Sequence, residues 1–260
     1  MPRLVRDPFQ RHEFDGVELR SYSTGRGDAE RTFVLVHGIG MSHYTFTRLA
    51  AALRPYGRVI AFDLAGFGSN RPPQHRVGIA DHARLVARAL AERGVERAIV
   101  VGHSMGSQIA VEMAVRSPDL VDGIVLIGPV VDPHRPGAVR QGLALARDTM
   151  GEPVPVDLLV VSDYLRGGIR WYLRQLPEML EYPIQRRLAA VAQPVLVVRG
   201  QDDPVGTRDW CDRLVSHAAD GRLLELAGSR HVVPRTAPED LARELDRFAR
   251  SVESREAAAS

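Results

Sequence analysis

The sequence predicts an α/β fold in which helices cover a mostly parallel sheet. Apolar runs typical of strands alternate with helical patterns along most of the chain, which indicates repeated strand and helix units. The strand-like runs are continuously apolar, as expected for strands that are covered on both faces. A chain of 260 residues with 45% hydrophobic and 25% charged residues has ordinary globular composition, which excludes a disordered or collagen-like protein.

The strands are predicted from turn signals and apolar runs, taken in chain order. Residues 13–25 contain Asp15-Gly16 between short alternating runs, which indicates an antiparallel hairpin at a sheet edge. The later apolar segments, bounded by glycine or charged residues, are predicted as strands at residues 32–38, 58–64, 97–103, 122–128, 194–200 and 221–228.

Helical patterns lie between most of these segments. They are predicted at residues 43–54, 79–93, 105–117, 207–218 and 237–252, and the tail after the last helix is expected to fray. Residues 130–190 break the alternation, and a structureless loop of that length is improbable in a compact chain. This stretch is predicted to be a helical insert over one end of the sheet. Its larger side chains either pack the insert or contact a substrate, and they are Met150, Tyr164, Trp171, Tyr172, Met179 and Tyr182.

Composition excludes several classes of partner and of covalent framework. All 34 basic residues are arginine and are scattered among 32 acids, so the formal charge is only +2 and no nucleic-acid surface is predicted. Cys211 is the single cysteine, which excludes an internal disulfide and a cysteine metal cluster. No run of about 18 apolar residues predicts a membrane span, and the charged N-terminus does not resemble a signal peptide. The expected location is cytoplasmic.

The segment around Ser104 carries the most specific motif in the chain. An apolar strand runs into Gly102-His103-Ser104-Met105-Gly106, and a helical pattern begins directly after it. This is the G-x-S-x-G pattern in the strand, turn and helix context of a nucleophile elbow. The turn strains the backbone of Ser104 and admits only glycine-sized neighbours. At the start of the helix after Ser104, the positive end of the helix dipole and the Met105 amide can stabilise a developing oxyanion.

A serine hydroxyl is a weak nucleophile until a base removes its proton, so the motif requires a histidine and an acid downstream. His231 follows the last predicted strand, in a loop before the final helix. Asp203 follows the penultimate strand, where a carboxylate at the carboxyl edge of the sheet can reach an imidazole. Asp202 beside it, and Asp132 after the strand at 122–128, remain alternative acids.

The remaining histidines and one further aspartate are interpreted as structural. Asp63 is expected to organise its own turn after the strand at 58–64. The histidines outside a strand and loop context are predicted to be surface or local packing residues, and they are His12, His43, His75, His82, His134 and His217.

An early loop between a strand and a helix supplies a second oxyanion donor. Residues 37–40 read His-Gly-Ile-Gly, which lets the backbone approach the serine closely. The amide of Ile39 is the predicted partner of the Met105 amide, and Gly40 is the next candidate. His37 is expected to brace this loop through hydrogen bonds.

With these motifs in place, the chain resembles the α/β-hydrolase superfamily, in particular its serine hydrolases with a helical cap. The resemblance covers nearly the whole chain, and it rests on HGIG at 37–40, DLAGFGSNRP at 63–72, GHSMG at 102–106, GQDDPV at 200–205 and SRHVVP at 229–234. It implies an eight-stranded, mostly parallel sheet flanked by helices. The implied domains are a core at 1–130 and 190–255, a helical cap at 131–189 and a disordered tail at 256–260.

The resemblance also implies the chemistry. It places the nucleophile at Ser104, the acid at Asp203, the base at His231 and the oxyanion amides at Ile39 and Met105. It implies acyl transfer through an acyl-enzyme, without metal or organic cofactor, on a small to medium, largely apolar carboxylic ester, lactone or thioester. The residues expected to contact this small-molecule substrate are Gly38, Gly40, His103, Trp171, Tyr172 and Val232. The chain is expected to be a monomer or a homodimer that binds neither nucleic acid nor membrane.

Departures from particular branches narrow the expected reaction. Haloalkane dehalogenases of this superfamily carry aspartate at the position of Ser104. Hydrolases of carbon-carbon bonds usually have glycine and tryptophan where this chain has Ser107 and Val232, and haloperoxidases and perhydrolases often have tryptophan at the position of Ile39. Carbon-carbon hydrolysis, perhydrolysis, and a non-hydrolytic binding or cyclising role remain alternatives to ester hydrolysis.

Overall fold

The structure is a computed structural model that describes residues 9–25, 31–133 and 168–259. In these ranges the strands form one eight-stranded sheet of order β1-β2-β4-β3-β5-β6-β7-β8. The strands are β1 Gln10–Phe14, β2 Val17–Thr24, β3 Thr32–Val36, β4 Arg58–Asp63, β5 Ala98–His103, β6 Val121–Ile127, β7 Val195–Gly200 and β8 Gly221–Leu226. β2 pairs antiparallel with β1 and with β4, and all other neighbouring strands pair parallel. The predicted mostly parallel sheet is confirmed.

The hairpin at the sheet edge forms as its Asp-Gly pair predicts. Asp15 and Gly16 have φ angles of 55° and 76°, the left-handed values that a tight two-residue hairpin turn requires. β1 begins at Gln10, ahead of the predicted start at residue 13. The reason is that His12 occupies an inward position, where its buried ring bonds to Glu92. Because this inward residue is polar, the sequence of β1 does not show the alternation of apolar and polar residues that would predict a strand.

The helices in the described ranges follow the predicted alternation, apart from differences at two helix ends and one additional short helix at residues 233–236. They are α1 Thr47–Leu53, α2 Ile79–Glu92, α3 Met105–Arg116, α4 Ile169–Leu180, α5 Ile184–Leu188, α6 Arg208–His217, α7 Val233–Thr236 and α8 Pro238–Ala259. The helix predicted at 43–54 is divided, because Ser42 caps the N–H of Tyr44 and opens a 3-10 turn before α1. α8 continues to Ala259 instead of ending near 252 before a disordered tail at 256–260. Residues 252–259 contain no glycine or proline and are rich in alanine and glutamate, which favour helix.

The sheet has a separate apolar core on each face, because successive strand residues point to opposite faces. In β3, Val34 and Val36 pack with residues of α2, α3, α5 and α6. Phe33 and Leu35 pack with residues of α1 and α8 on the other face. All residues of β3 and of β5 are buried. The continuously apolar strands are therefore explained by helices on both faces.

The segment predicted as a cap is described only near its C-terminal end. Residues 134–167 lie outside the described residues, and with them three residues named above: His134, Met150 and Tyr164. α4 is anchored to the core by the buried Trp171 and Met179. Gln108 of α3 donates a hydrogen bond from its amide to the carbonyl of Met179, at 2.9 Å. That residues 131–189 form a single cap stays a prediction.

Asp63 anchors a neighbouring turn in addition to taking part in its own. Its fully buried Oδ1 accepts hydrogen bonds from the backbone N–H and the Nδ1 of His43, each at 2.8 Å. The turn that follows β4 is held by Asn70, whose amide donates to the carbonyls of Asp63 and Leu64. The Asp63 carboxylate also lies against this turn, because a Cβ at Gly68 would be 2.4 Å from it. The sequence pattern could not separate these roles, because residue 43 is remote in the chain. Of the other histidines, His12 and His82 are buried against polar partners, and His75 and His217 are exposed.

No helix in the described ranges combines the length and apolar character that crossing a bilayer would need.

Candidate active site

Ser104 occupies a strained turn between β5 and α3. Its φ and ψ are 56° and −120°, outside the regions that side chains ordinarily allow. The turn is held because the Ser104 N–H donates to the carbonyl of Ile127, at 2.9 Å. A Cβ at Gly102 would lie 2.1 Å from the carbonyl oxygen of Gly106, and a Cβ at Gly106 would lie 2.1 Å from that of Val36. The two glycines of the motif are thus required for the chain to close around the serine.

The loop after β3 lies directly against Ser104. A Cβ at Gly38 would be 2.9 Å from the Cβ of Ser104, so only glycine permits this approach. His37 braces the loop as predicted: its Nδ1 bonds to the Gly38 carbonyl at 2.7 Å, and its Nε2 accepts the N–H of Leu64 at 3.1 Å. These partners assign the proton to Nδ1. Burial lowers the pKa of His37 to about 4, so the ring is neutral at neutral pH.

The two amides predicted to bind an oxyanion follow Ser104 and Gly38 directly in the chain, and Gly38 lies against Ser104. Met105 is the first residue of α3, where backbone N–H groups have no partner within the helix. Ile39 lies in the turn after β3 and packs against the larger apolar core. Neither N–H donates to another group of the described residues. Gly40 has a φ of 72° and completes the turn.

His231 and Asp203 form a buried hydrogen-bonded pair. The Nδ1 of His231 lies 2.9 Å from Oδ2 of Asp203, and the two residues are only 5% and 3% exposed. The other carboxylate oxygen accepts the N–H of Val205 at 2.8 Å. Burial by itself raises the pKa of Asp203, but the charge and hydrogen bond of His231, with backbone donors, hold that pKa down at about 2. The Nε2 of His231 is buried and has no hydrogen-bond partner in the described part of the chain.

The structure brings Asp203 to the imidazole, whereas one alternative acid is exposed and the other pairs with an arginine. Asp202 is exposed to solvent. Asp132 is buried and accepts a hydrogen bond from Arg213 at 2.6 Å. The ionised oxygen beside His231 is therefore that of Asp203.

His103 connects the serine turn to the histidine loop. It is fully buried, its Nε2 lies 3.1 Å from the carbonyl oxygen of His231, and the two rings are 4.9 Å apart between centroids. Burial, and the neighbouring His231, lower the pKa of His103 to about 3, so its ring is neutral and donates this bond. His103 was predicted as a substrate contact. The contact that it makes here is with the protein itself.

The other predicted substrate contacts lie at varied positions. Val232 is buried directly after His231. Trp171 is buried in α4, where its Nε1 donates to the carbonyl of Ala65 at 3.0 Å, and a Cβ at Gly66 would lie 2.3 Å from that nitrogen. Its indole therefore joins α4 to the loop after β4. Tyr172 is 9% exposed on the same helix. Contact of these residues with substrate stays a prediction.

Three residues that support the site were missed by the sequence analysis. A Cβ at Gly128 would lie 2.9 Å from the ring of His231, and a Cβ at Gly206 would lie 2.9 Å from Oδ2 of Asp203. Arg199 is buried at the end of β7 and donates to the carbonyl of Gly206. An arginine inside an otherwise apolar strand was the one signal that the sequence offered. The described residues contain no group of three or more histidine, cysteine or acidic side chains that could hold a metal ion.

Comparisons with known proteins find the same fold in several hydrolases. Residues 31–148 match the family model described as the alpha/beta hydrolase fold. The chain is similar to the uncharacterized hydrolase YugF of Bacillus subtilis, with 24% identity over 93% of this chain and 97% of that protein. It is also similar to the dihydrolipoyllysine-residue acetyltransferase component of the acetoin cleaving system of Cupriavidus necator, at 36% identity over 47% of this chain. That match spans only 32% of the acetyltransferase component.

A solved structure extends the likeness to the whole fold. The esterase of Thermogutta terrifontis superposes with a TM-score of 0.80 and 21% identity, covering 94% of this chain and 99% of that one. The two proteins therefore share a fold. At this identity, the activity of the esterase cannot be assigned to this chain. The strand order, the family model over residues 31–148 and this solved structure agree, and the chain has the alpha/beta hydrolase fold.

Proposed function

We propose that this chain is a serine hydrolase that cleaves a small to medium, largely apolar carboxylic ester, lactone or thioester through an acyl-enzyme on Ser104. The observation that carries the proposal is the buried pair of Asp203 and His231. It leaves one imidazole nitrogen without a partner in the described residues, at the sheet edge where Ser104 follows β5. A buried polar nitrogen without a partner costs free energy, which is typical of a site that a substrate or a catalytic hydroxyl completes.

The proposed reaction begins with attack of the Ser104 hydroxyl oxygen on the substrate carbonyl carbon. The Nε2 of His231 accepts the hydroxyl proton and then gives it to the leaving alcohol or thiol, which leaves an acyl group on Ser104. A water molecule then repeats the attack, and the same imidazole returns its proton to the serine oxygen. The products are a carboxylic acid and an alcohol or thiol, so no oxidant or reductant is needed.

Asp203 has two roles in this scheme. Its hydrogen bond keeps the proton on Nδ1 of His231, so that Nε2 is the basic nitrogen. Because the pKa of Asp203 is held at about 2, the carboxylate is ionised at neutral pH and stabilises the imidazolium that forms during proton transfer.

The developing negative charge on the substrate oxygen is assigned to the amides of Ile39 and Met105. Both belong to backbone segments that are fixed before substrate arrives, one by the braced loop at residues 37–40 and the other by α3. Donors that need no reorganisation contribute more to catalysis than mobile ones, and removing one from such a pair costs about 10² to 10³ in rate.

The proposal is tested with p-nitrophenyl acetate and a fluorophosphonate probe. We expect a burst of nitrophenol, one equivalent of probe on Ser104, and a loss in kcat of about 10⁶-fold in Ser104→Ala. Ser107→Ala is the matched control, since Ser107 is a buried serine on the next turn that bonds to the carbonyl of Gly102. It should keep the label. A wild-type chain without burst or label, or a label that survives Ser104→Ala, contradicts the proposal and favours a binding role.

A further inference from the structure

Arg199 closes the loop that carries Asp203. It is the penultimate residue of β7 and is only 6% exposed. Its Nε donates to the carbonyl of Gly206 at 2.8 Å, and its Nη2 donates to the carbonyl of Gln201, also at 2.8 Å. These two carbonyls lie before and after Asp203 in the chain. A single guanidinium therefore joins both ends of the loop at residues 201–206.

The loop end held by Arg199 is also the one that touches the carboxylate. The backbone N–H groups of Val205 and Gly206 both favour the ionised form of Asp203. A Cβ at Gly206 would lie 2.9 Å from Oδ2 of Asp203, so the backbone presses closely on this oxygen. We therefore expect a movement of Gly206 to change the direction of the oxygen that bonds to His231.

The charge of Arg199 is already compensated. Its Nη1 pairs with Glu225, which is its register partner on β8. Arginine suits this place because its planar group offers five donors in a fixed fork, whereas lysine offers one compact ammonium. The guanidinium thus acts on the loop through two directed hydrogen bonds, while a third bond ties it to β8.

We propose that Arg199 is a positioning residue, which aligns the Asp203 carboxylate with Nδ1 of His231 by tying Gln201 and Gly206 together. This inference rests on the proposed roles of Asp203 and His231. We call the two hydrogen bonds from Arg199 to Gln201 and Gly206 the clamp. Without the clamp we expect the loop at residues 201–206 to loosen. The Asp203 carboxylate would then no longer hold the imidazole of His231 in one orientation. A displacement near 1 Å at such a site costs up to about 10²-fold in rate.

The test measures the Asp203 hydrogen bond directly, without relying on turnover. The low-field proton resonance of the His231 Nδ1–H is assigned as the one that disappears in His231→Gln, because His12 and His43 also face carboxylates. We expect this resonance to broaden or vanish in Arg199→Met. The matched control is Arg208→Met, since Arg208 contacts the same Glu225 at 3.7 Å but makes no bond to the loop carbonyls in the described residues. It should keep the resonance.

Turnover provides the second readout. We expect Arg199→Met to lower kcat for p-nitrophenyl acetate by up to about 10²-fold, with KM changed less than about twofold, because orientation and not binding is lost. The kcat of Arg199→Lys should lie between those of Arg199→Met and wild type. If Arg199→Met does not fold, Arg199→Lys takes its place in the test. An unchanged resonance and kcat in Arg199→Met, or in Arg199→Lys where that variant decides, overturns the proposal. Equal losses in Arg208→Met also overturn it. A wild-type chain without Ser104-dependent turnover defeats the proposed function instead, and the resonance still tests the clamp.

Discussion

Burial and hydrogen bonds give neighbouring aspartates different chemistry at the end of β7. Asp202 and Asp203 share the same sequence context, yet one is exposed and the other is buried against His231. The difference is made by the turn, in which the Asp203 N–H donates to the carbonyl of Gly200 and its side chain accepts the N–H of Val205. The sequence could place an acid in this loop. Which of the two reaches the imidazole depends on side-chain direction.

The low pKa of Asp203 predicts a pH-dependent contribution to stability. Since that pKa is about 2 in the folded chain against an ordinary value of 3.8, ionisation of Asp203 favours the fold. The stabilisation is fully present above about pH 4, is lost as the pH falls towards about 2, and amounts to roughly 2 kcal/mol. We expect the difference in free energy of unfolding between wild type and Asp203→Asn to shrink over this interval, measured by urea unfolding at each pH. A difference that grows as the pH falls contradicts this assignment.

At the scale of elements, α5 is joined to α3 by a buried acid. Glu112 of α3 accepts two hydrogen bonds from Arg187 of α5, at 2.7 and 2.9 Å, and one from the hydroxyl of Tyr182. Burial by itself raises the pKa of Glu112, but the hydrogen bonds and charges of Arg187 and Arg116 more than offset it and lower that pKa. Two helices that are remote in sequence therefore share one ionised group.

We expect Arg187→Met to destabilise the chain by about 1.5 to 3 kcal/mol, because it removes two bonds to a buried charge. Arg116→Met is the matched control. Arg116 bonds to the same carboxylate by one hydrogen bond, at 2.7 Å, from a side chain that is 55% exposed. Its removal should cost less than about 1 kcal/mol. Urea unfolding of both variants measures the difference, and equal losses would show that Arg187 does not anchor α5.

Element types were easier to predict than element ends. The apolar strands and the amphipathic helices could be predicted because burial on one or two faces leaves a period in the sequence. The start of β1 could not, because His12 fills an inward position with a polar ring. The predicted end of α8 is too early, although residues 252–259 contain helix formers and no stop signal.

Across the whole molecule, the candidate site depends on the order of strands. β3, β5, β7 and β8 are parallel, so the segments after them meet at one edge and bring the loop at 37–40, Ser104, Asp203 and His231 to the same side. The motifs predicted these positions. The sequence could not predict the contacts that support the site, which are those made by Gly128, Gly206 and Arg199. Such contacts depend on distances between strands that lie far apart in sequence.

Two buried pairs of aspartate and histidine lie at the carboxyl ends of the parallel strands. Comparing them separates the effect of a histidine on turnover from its effect on stability. His43 bonds to Asp63 at 2.8 Å, and His231 bonds to Asp203 at 2.9 Å. Each carboxylate keeps at least one backbone N–H donor when its histidine is removed. His43→Ala and His231→Ala should therefore lose comparable stability, about 1.5 to 3 kcal/mol each.

Only one of the two pairs is assigned to catalysis, so turnover should separate them. The ring of His43 stacks on Tyr22 with centroids 3.6 Å apart, and its Nδ1 anchors the 3-10 turn. His231 instead has a buried Nε2 without a partner in the described ranges. We expect folded His43→Ala to retain kcat for p-nitrophenyl acetate within about tenfold, and His231→Ala to lose on the order of 10⁴-fold or more. Urea unfolding and kcat are measured on the same samples. Full turnover in His231→Ala would show that His231 does not take part in the proton transfer.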